Sequence, residues 1–338
     1  MSKRPAVSAI LSASMEDVKV YLYDAAGHDE QIDIEQIDIE QLEENQLLWV
    51  NVLARDEELL GKVTAALKVE HVPCGKVIDD TSRPDIDRFE HFFRFCVNAV
   101  VTKKDASPER MMIDYIVGKN FVVSVHEGEV EYFDEFRKRE KGETPIGELD
   151  AESFLATLLD LNIVSYFRAV EELERRVDRM DERILRKELE TEDFLSEMVK
   201  LRRDASRLRR WLTPHRDIFY SLSRADFHQI AESDSGDQYK MLNQHFESAI
   251  DAVENSRETV LSVFDLYATK SSQMTNTFVQ RLTFLTLLTG SLAVIAGVLG
   301  MNFKSDVFEA QNGFLVTVGA LLLVAVALTA FARFKRWI

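Results

Sequence analysis

The chain has 338 residues, of which 46% are hydrophobic, and its formal net charge is −17 at pH 7. This acidic balance argues against nucleic-acid binding, which needs a basic surface. The two cysteines, Cys74 and Cys96, lie far apart in the sequence, so we expect no disulfide framework and a polar body that stays in a reducing cytosol.

The first 150 residues alternate short strand-like runs with turns, which predicts an N-terminal α/β domain over residues 1–150. Strands are predicted at residues 18–23, 47–53, 92–101, 111–117 and 121–125, and a helix at residues 56–67. The pentapeptide Gln-Ile-Asp-Ile-Glu occurs twice in succession within residues 31–41. It is too short for a solenoid, so we expect an exposed acidic edge or loop there.

From residue 151 the pattern changes to long helices, which predicts a helical stalk over residues 151–281. Residues 154–186 and 191–212 carry apolar residues at helical spacing, and a polar break follows at residues 233–236. Residues 238–299 contain no proline and no glycine before Gly290. We therefore predict one continuous helix there, about 90 Å long at 1.5 Å per residue. The fold class expected for the whole chain is α+β.

Two apolar runs near the end of the chain are each about long enough to cross a bilayer as a helix. They predict a transmembrane hairpin over residues 282–338, with spans at about 282–300 and 314–332 and an external loop at 300–313. The loop carries Lys304, Asp306 and Glu309. The basic residues that flank the spans are Lys270, Arg281, Arg333, Lys335 and Arg336. The positive-inside rule then places both termini in the cytosol.

One stripe of the first span is polar or small at every heptad position: Asn276, Thr283, Gly290 and Gly297. Thr286, Ala293 and Gly300 lie near the same stripe. A parallel bundle around a pore would place such residues towards water and leave the apolar faces for lipid. Close packing of helices through small residues produces the same pattern. Both interpretations remain open from the pattern alone.

The tripeptide Gly300-Met301-Asn302 stands where the first span leaves the membrane. A ring of carboxamides at a pore mouth would offer neutral oxygens to a hydrated cation, and Mg²⁺ loses its water reluctantly. A glycine and an asparagine also commonly finish a helix C-terminus. These three residues do not distinguish the two interpretations.

The order of these features resembles the CorA-type metal transporters, the two-transmembrane GxN family. It comprises a long charged helix, a first span ending in Gly-Met-Asn, a short loop and a second span ending in a basic cluster. The resemblance is strongest over residues 295–303. It continues in Arg83-Pro84-Asp85-Ile86-Asp87, in residues 117–126 and 209–216, and at the terminal residues 335–338.

The resemblance implies a funnel-shaped homopentamer in the inner (plasma) membrane, with five first spans lining the pore. Asn302 takes the place of the outer selectivity ring, Asn276 matches a polar ring near the inner end, and Val279 and Leu282 match hydrophobic constrictions. Cytosolic metal sites between subunits hold magnesium transporters of the family closed. The stalk offers several acidic candidates for such sites and no motif to choose among them: Asp251, Glu254, Glu258 and Asp265.

The chain also departs from the pattern of the magnesium-carrying members. Leu299 replaces the usual tyrosine before Gly-Met-Asn, and Lys304 stands where a carboxylate is common. Ser291 replaces a proline of the span, Gly290 replaces a pore methionine, and the loop lacks Met-Pro-Glu. A ring of Lys304 side chains would repel cations unless it is turned away or paired. The choice between Mg²⁺ and Zn²⁺ or Co²⁺ therefore stays open.

Other candidate sites are weaker. His71 and Cys74 are too few ligands for a zinc site, and His215 beside Pro214 is expected to be structural. His126, Glu127 and Glu129 end a strand in a polar turn and could form a cytosolic cation site. The sequence shows no phosphate loop, dinucleotide fingerprint or nucleophile elbow.

We therefore expect a divalent-cation channel or transporter, not an enzyme, without a cofactor. Its partners would be copies of itself, membrane lipid and the transported metal. The alternative is a membrane-anchored sensor or scaffold that does not conduct.

Overall fold

The computed structural model describes residues 17–24, 29–37, 39, 42–43, 45–80, 83–140, 150–186, 192–224, 227, 230, 236–301 and 313–334. The chain divides into two compact units. The first comprises Met1–Glu182 and Glu190–Ser262, and the second comprises Arg183–Leu189 and Val263–Ile338.

The first unit is built on a seven-stranded sheet with the order β2-β1-β3-β7-β6-β5-β4. The strands are β1 (Val18–Asp24), β2 (Glu30–Ile32), β3 (Gln46–Val52), β4 (Ile86–Arg88), β5 (Phe92–Val101), β6 (Glu109–Gly118) and β7 (Phe121–Val125). Only the β3–β7 pair is parallel among these neighbours. β7 is buried along its whole length, as expected for a central strand with both faces covered, and all of its residues except Ser124 are apolar.

The two faces of β3 pack against different layers, as the two-residue period of a strand requires. Leu48 and Val50 belong to a core cluster with α1 (Glu57–Ala66) and α2 (Cys74–Ile78). The Asp56 side chain caps α1 by accepting a hydrogen bond from Leu59 N at 2.9 Å. On the opposite face, Trp49 packs edge-on against Phe133 and Phe154.

The tandem repeat at residues 31–41 is only partly the exposed acidic edge that we expected. β2 is an edge strand, and a 3-10 turn follows at Ile34–Gln36 with Glu35 exposed. Ile34, however, is only 7% exposed and belongs to the core cluster, and Ile37 and Ile39 pack against that cluster. The isoleucines of the repeat thus pack against the core, and Asp33 and Glu35 are exposed to solvent. Residues 38, 40 and 41 lie outside the described part of the chain.

The remaining helices are α3 (Glu131–Glu140), α4 (Ala151–Leu185), α5 (Glu192–Leu212), α6 (Arg216–Leu222), α7 (Gly236–Leu299) and α8 (Gly313–Phe334). A 3-10 turn at Thr213–His215 joins α5 to α6. α7 is a single helix of 64 residues, which confirms the prediction of one continuous helix.

Three described helices are long and apolar enough to cross a membrane. The most apolar window of α4 is 67% buried inside the protein, so its apolar residues form the core of the first unit. The corresponding windows of α7 and α8 are 0% and 6% buried. Burial in lipid accounts for such exposed apolar surface, which is otherwise costly in water. We therefore treat the end of α7 and α8 as the spans of the predicted hairpin.

Candidate pore-lining site

The structure places the polar stripe on α7, on a face that the rest of the chain leaves open. Asn276, Thr283, Gly290 and Gly297 are all exposed. The nearby Thr286 and Ala293 are exposed as well, and the two predicted constriction residues, Val279 and Leu282, are 54% and 64% exposed. In the single chain, the proposed pore residues are therefore available to contact water or other copies.

A different face of α7 is partly covered. The half-buried positions there are Gln280, Phe284, Leu288, Ser291, Leu292 and Ile295. At 100° per residue, the centre of this covered face lies about 120° from the polar stripe around the helix axis. The polar and small residues are thus segregated from the face that the chain itself covers.

The threonine hydroxyls of the stripe donate to their own helix. Thr283 Oγ1 donates to Val279 O at 2.8 Å, and Thr286 Oγ1 donates to Leu282 O at 2.9 Å. Each hydroxyl has one proton and two lone pairs. Because the proton is used internally, the oxygen faces outward as an acceptor. The waters around a hydrated cation point their protons outward, so these oxygens are suited to receive them.

Among the residues that the structure describes, none packs closely against Gly290 or Gly297. A Cβ built at either position would meet no atom within 4 Å. Glycine in a helix interior costs about 1 kcal/mol relative to alanine. The space at these two positions is therefore available to something outside this chain, either a hydrated ion or a neighbouring helix.

α7 ends immediately before the Gly-Met-Asn tripeptide. The Gly300 N–H donates to Ala296 O at 2.8 Å, and the Met301 N–H donates to Val298 O at 3.3 Å. A Cβ at Gly300 would lie only 3.2 Å from Ala296 O, so glycine fits this tight helix end. Asn302 and the loop residues Lys304, Asp306 and Glu309 lie outside the described residues.

The acidic stalk candidates are exposed on α7 before the span. Glu254 pairs with Arg209 at 3.1 Å. The other three candidates are also exposed: Asp251, Glu258 and Asp265. Across the described ranges, no three His, Cys, Asp or Glu side chains are grouped so that they could hold a metal ion.

His126 does not lie in an exposed turn, so this part of the expected cation site is wrong. Its ring is buried, and Nε2 lies 2.8 Å from Asn51 Oδ1. Ser124 donates to the same oxygen at 2.7 Å and accepts from Trp49 Nε1 at 3.0 Å. Burial lowers the pKa of His126 to about 4. Its neighbours Glu127 and Glu129 are exposed, so the strand end separates the imidazole from the two carboxylates.

The prediction that His215 is structural is confirmed. The ring is fully enclosed, and its Nε2 accepts a hydrogen bond from the Asn98 N–H at 2.7 Å. Nδ1 therefore carries the proton and donates to Leu212 O at 2.9 Å. Burial lowers the pKa of His215 to about 4. Through these two hydrogen bonds the histidine connects strand β5 to the 3-10 turn between α5 and α6.

A buried ionic cluster was missed from the sequence. Arg94 of β5 is fully buried and contacts Asp85, Asp87 and Asp114. Arg55 reaches the second oxygen of Asp114 at 2.7 Å. The signal that could have revealed the cluster is an arginine and an aspartate in the middle of two successive apolar strands, because buried charges must be paired. These contacts join β4, β5 and β6 within the first unit.

The chain is similar to known proteins over most of its length. A family model described as CorA-like Mg2+ transporter protein matches residues 44–336. The cobalt/magnesium transport protein CorA of Thermotoga maritima is 24% identical over 295 residues, which cover 86% of this chain and 83% of that protein. The magnesium transport protein CorA of Helicobacter pylori is 20% identical over 246 residues, which cover 72% of this chain and 76% of that protein.

The same fold occurs among solved structures. The complete structure of the CorA magnesium transporter from Methanocaldococcus jannaschii matches with a TM-score of 0.77 at 18% sequence identity, and the match covers 94% of this chain and 98% of that one. At this identity the likeness concerns the fold. The family model spans most of the sequence, so the chain belongs to the CorA-like Mg²⁺ transporter family of divalent-cation transporters.

Proposed function

We propose that this chain forms a homopentameric channel that passes hydrated Mg²⁺, or Zn²⁺ or Co²⁺, down its electrochemical gradient. The observation that carries the proposal is the segregated polar stripe of α7, from Asn276 to Gly297, which the chain itself leaves exposed. Five copies with this stripe turned inward would line a water-filled pore and leave the apolar faces for lipid.

Selection in this proposal falls to a ring of Asn302 side chains at the outer mouth. A carboxamide oxygen can accept hydrogen bonds from the first-shell waters of a cation without stripping them, which suits an ion that dehydrates reluctantly. Below it, the outward-facing oxygens of Thr283 and Thr286 continue the same chemistry. Asn276 forms a polar ring near the inner end, and Val279 and Leu282 form constrictions that can close by excluding water.

The proposed orientation places both termini in the cytosol of a cell bounded by the inner (plasma) membrane, with residues 300–313 outside. The flanking basic residues support it through the positive-inside rule. The choice of metal is supported only by the names of relatives, one a cobalt/magnesium and one a magnesium transport protein. The departures at Leu299 and Lys304 leave a zinc-type preference within the proposal.

The test is metal flux into liposomes that contain the purified full chain and metal-sensitive dyes, with Mg²⁺, Zn²⁺ and Co²⁺ compared with and without a pH gradient. Asn302→Ala should abolish selective flux while the oligomer stays intact. Asn255→Ala, an exposed asparagine of α7 before the span, is the matched control and should conduct normally.

Wild-type flux through an intact Asn302→Ala oligomer would remove the selectivity ring from the proposal. A wild-type oligomer that passes none of the three metals would instead favour the membrane-anchored sensor or scaffold. In that case, replacing the two spans with an unrelated hairpin should leave its activity unchanged.

A further inference from the structure

A groove of about 280 Å³ lies beside α7 just before the first span, entirely within the second unit. Its lining residues are Ile184, Lys270, Gln273, Met274, Thr277, Phe278 and Arg281. This volume is at the small end of ligand pockets, which span about 300–1,000 Å³. It therefore suits a headgroup or a short segment rather than a whole lipid or a folded partner.

The groove carries two positive charges on one helix face. Lys270 and Arg281 are eleven residues apart, three turns of α7, so their Cα atoms are separated by about 16 Å along the axis. In the described parts of the chain, no carboxylate forms an ion pair with either side chain. In the first unit, by contrast, most arginines form ion pairs with carboxylates; Arg216 and Glu247 at 2.8 Å are one example. The two cations are therefore available to an anionic ligand.

The same groove is also apolar. Phe278 is 62% exposed between the two cations, and the buried Ile184 of α4 forms part of the wall beside Met274. Arg281 directly precedes the apolar run that begins at Leu282. Cations next to an exposed aromatic ring at the end of a membrane span are typical of the bilayer interface on the cytoplasmic side.

The groove faces away from the polar stripe. At 100° per residue, its lining residues on α7 centre about 160° from the stripe that runs from Asn276 to Gly297. The groove would therefore lie on the outside of the pore, where its positive charges do not meet the conducted cation. A ligand in this position must be anionic, must tolerate an apolar wall and must be present at the membrane surface.

We propose that this groove binds the headgroup of an anionic phospholipid of the cytoplasmic leaflet. Arg281, at the bilayer boundary, donates to the phosphodiester, because its planar guanidinium matches phosphate oxygens. Lys270 contacts the polar end of the headgroup on the cytosolic side, and Phe278, which lies between the two cations, packs against the glycerol carbons of the headgroup. The inference rests on the proposed function only in taking residues 282–300 as a membrane span with its start in the cytosol.

The test is native mass spectrometry of the full chain in detergent, titrated with phosphatidylglycerol or phosphatidylcholine. The wild type should retain phosphatidylglycerol preferentially, and inorganic phosphate at the same ionic strength should not displace it. Each positive charge near a membrane surface changes anionic-lipid binding about fivefold. Lys270→Gln/Arg281→Gln should therefore weaken phosphatidylglycerol binding about 25-fold and leave phosphatidylcholine binding unchanged.

The charge-matched control is Lys240→Gln/Arg257→Gln, which removes two positive charges of α7 that lie outside the groove and well before the span. It should bind phosphatidylglycerol as the wild type does. Equal loss in both variants would show general surface attraction and overturn the groove as a site. Equal retention of the two lipids by the wild type would by itself overturn the proposed lipid site. If the Lys270 and Arg281 variant loses its oligomers but binds lipid unchanged, the two residues form a contact between copies, and the lipid site is overturned as well.

Flux and lipid retention report on the two proposals separately. A protein that conducts metal but does not prefer phosphatidylglycerol contradicts the lipid site alone. A protein that retains phosphatidylglycerol through Lys270 and Arg281 but passes no metal contradicts the channel alone.

Discussion

Two histidines of the first unit, His126 and His215, are buried as neutral rings. For His215 the reason is geometric, because the Asn98 N–H points at Nε2 and leaves no room for a second proton there. A proton on Nε2 would place two donors against each other, and the other nitrogen already donates to Leu212 O. Burial lowers the pKa of both rings to about 4, from an ordinary value of 6.5.

A depressed histidine pKa makes the folded state sensitive to acid. Below about pH 6.5 each ring binds a proton in the unfolded chain, whereas in the native state it does so only below about pH 4. The free energy of unfolding is therefore highest above about pH 6.5 and decreases as the pH falls from there to about 4. A shift of this size corresponds to about 3 kcal/mol for each ring. In His215→Gln, the loss of apparent Tm between about pH 7.5 and pH 5 should shrink. Thermal unfolding of the full chain in detergent measures it.

The control for this pH experiment is His71→Gln, because the His71 side chain is 86% exposed. That variant should lose as much apparent Tm on acidification as the wild type. An equally large acid effect in His215→Gln would mean that His215 is not among the groups that destabilise the protein at low pH.

At the scale of helices and strands, local pattern was enough to predict most elements. The period of apolar residues located β5, β7, α1 and the long helix α7, because periodicity depends only on neighbours in the chain. The ionic cluster around Asp114 was not predictable in this way, because tertiary packing brings together residues as far apart as Arg55, in the loop after β3, and Asp114 of β6. The isoleucines of the tandem repeat were misjudged for the same reason. Whether an alternating segment is covered depends on the partner strand.

For the candidate site too, local periodicity could be predicted from the sequence and burial could not. The period of α7 placed Asn276, Thr283, Gly290 and Gly297 on one stripe, and the helix in the structure keeps them there. The sequence could not tell whether other parts of the chain cover that stripe, and the structure leaves it exposed. The cation site at His126 failed because the buried partner of the ring, Asn51, comes from a strand far away in the sequence.

The stripe of α7 makes a prediction about single hydroxyls. Thr283→Val keeps the side-chain shape and removes the acceptor oxygen from every copy around the proposed pore. A hydrogen bond contributes about 1 kcal/mol, so metal flux should fall roughly five- to tenfold. Thr329→Val on α8 is the matched control, because Thr329 also donates to its own helix, to Ala325 O at 2.8 Å. Equal flux in the two variants would argue against Thr283 as a pore-lining residue.

At the scale of the whole molecule, the proposed pentamer would multiply the effect of each pore-lining residue on α7. A side chain that faces the axis of a pentamer appears five times at one level, whereas a side chain that faces lipid meets no copy of itself. Gly290 and Gly319 offer a direct comparison, because a Cβ at either would meet nothing within 4 Å in the single chain. The first lies on the polar stripe, and the second lies on α8.

Substitution by leucine at these two glycines separates the two explanations of the stripe that the sequence left open. If the stripe lines a pore, Gly290→Leu should block metal flux, because five leucine side chains fill the lumen, and the oligomer should remain intact by size-exclusion chromatography with light scattering. If the stripe instead packs helix against helix, the added volume forces the helices apart, and the same variant should dissociate. Gly319→Leu should conduct like the wild type in either case, since a leucine on the lipid-facing part of α8 is as apolar as its surroundings. If only the Gly290→Leu oligomer dissociates, the result contradicts a pore. An intact Gly290→Leu oligomer that conducts no metal is expected only if the stripe faces the path of the ion.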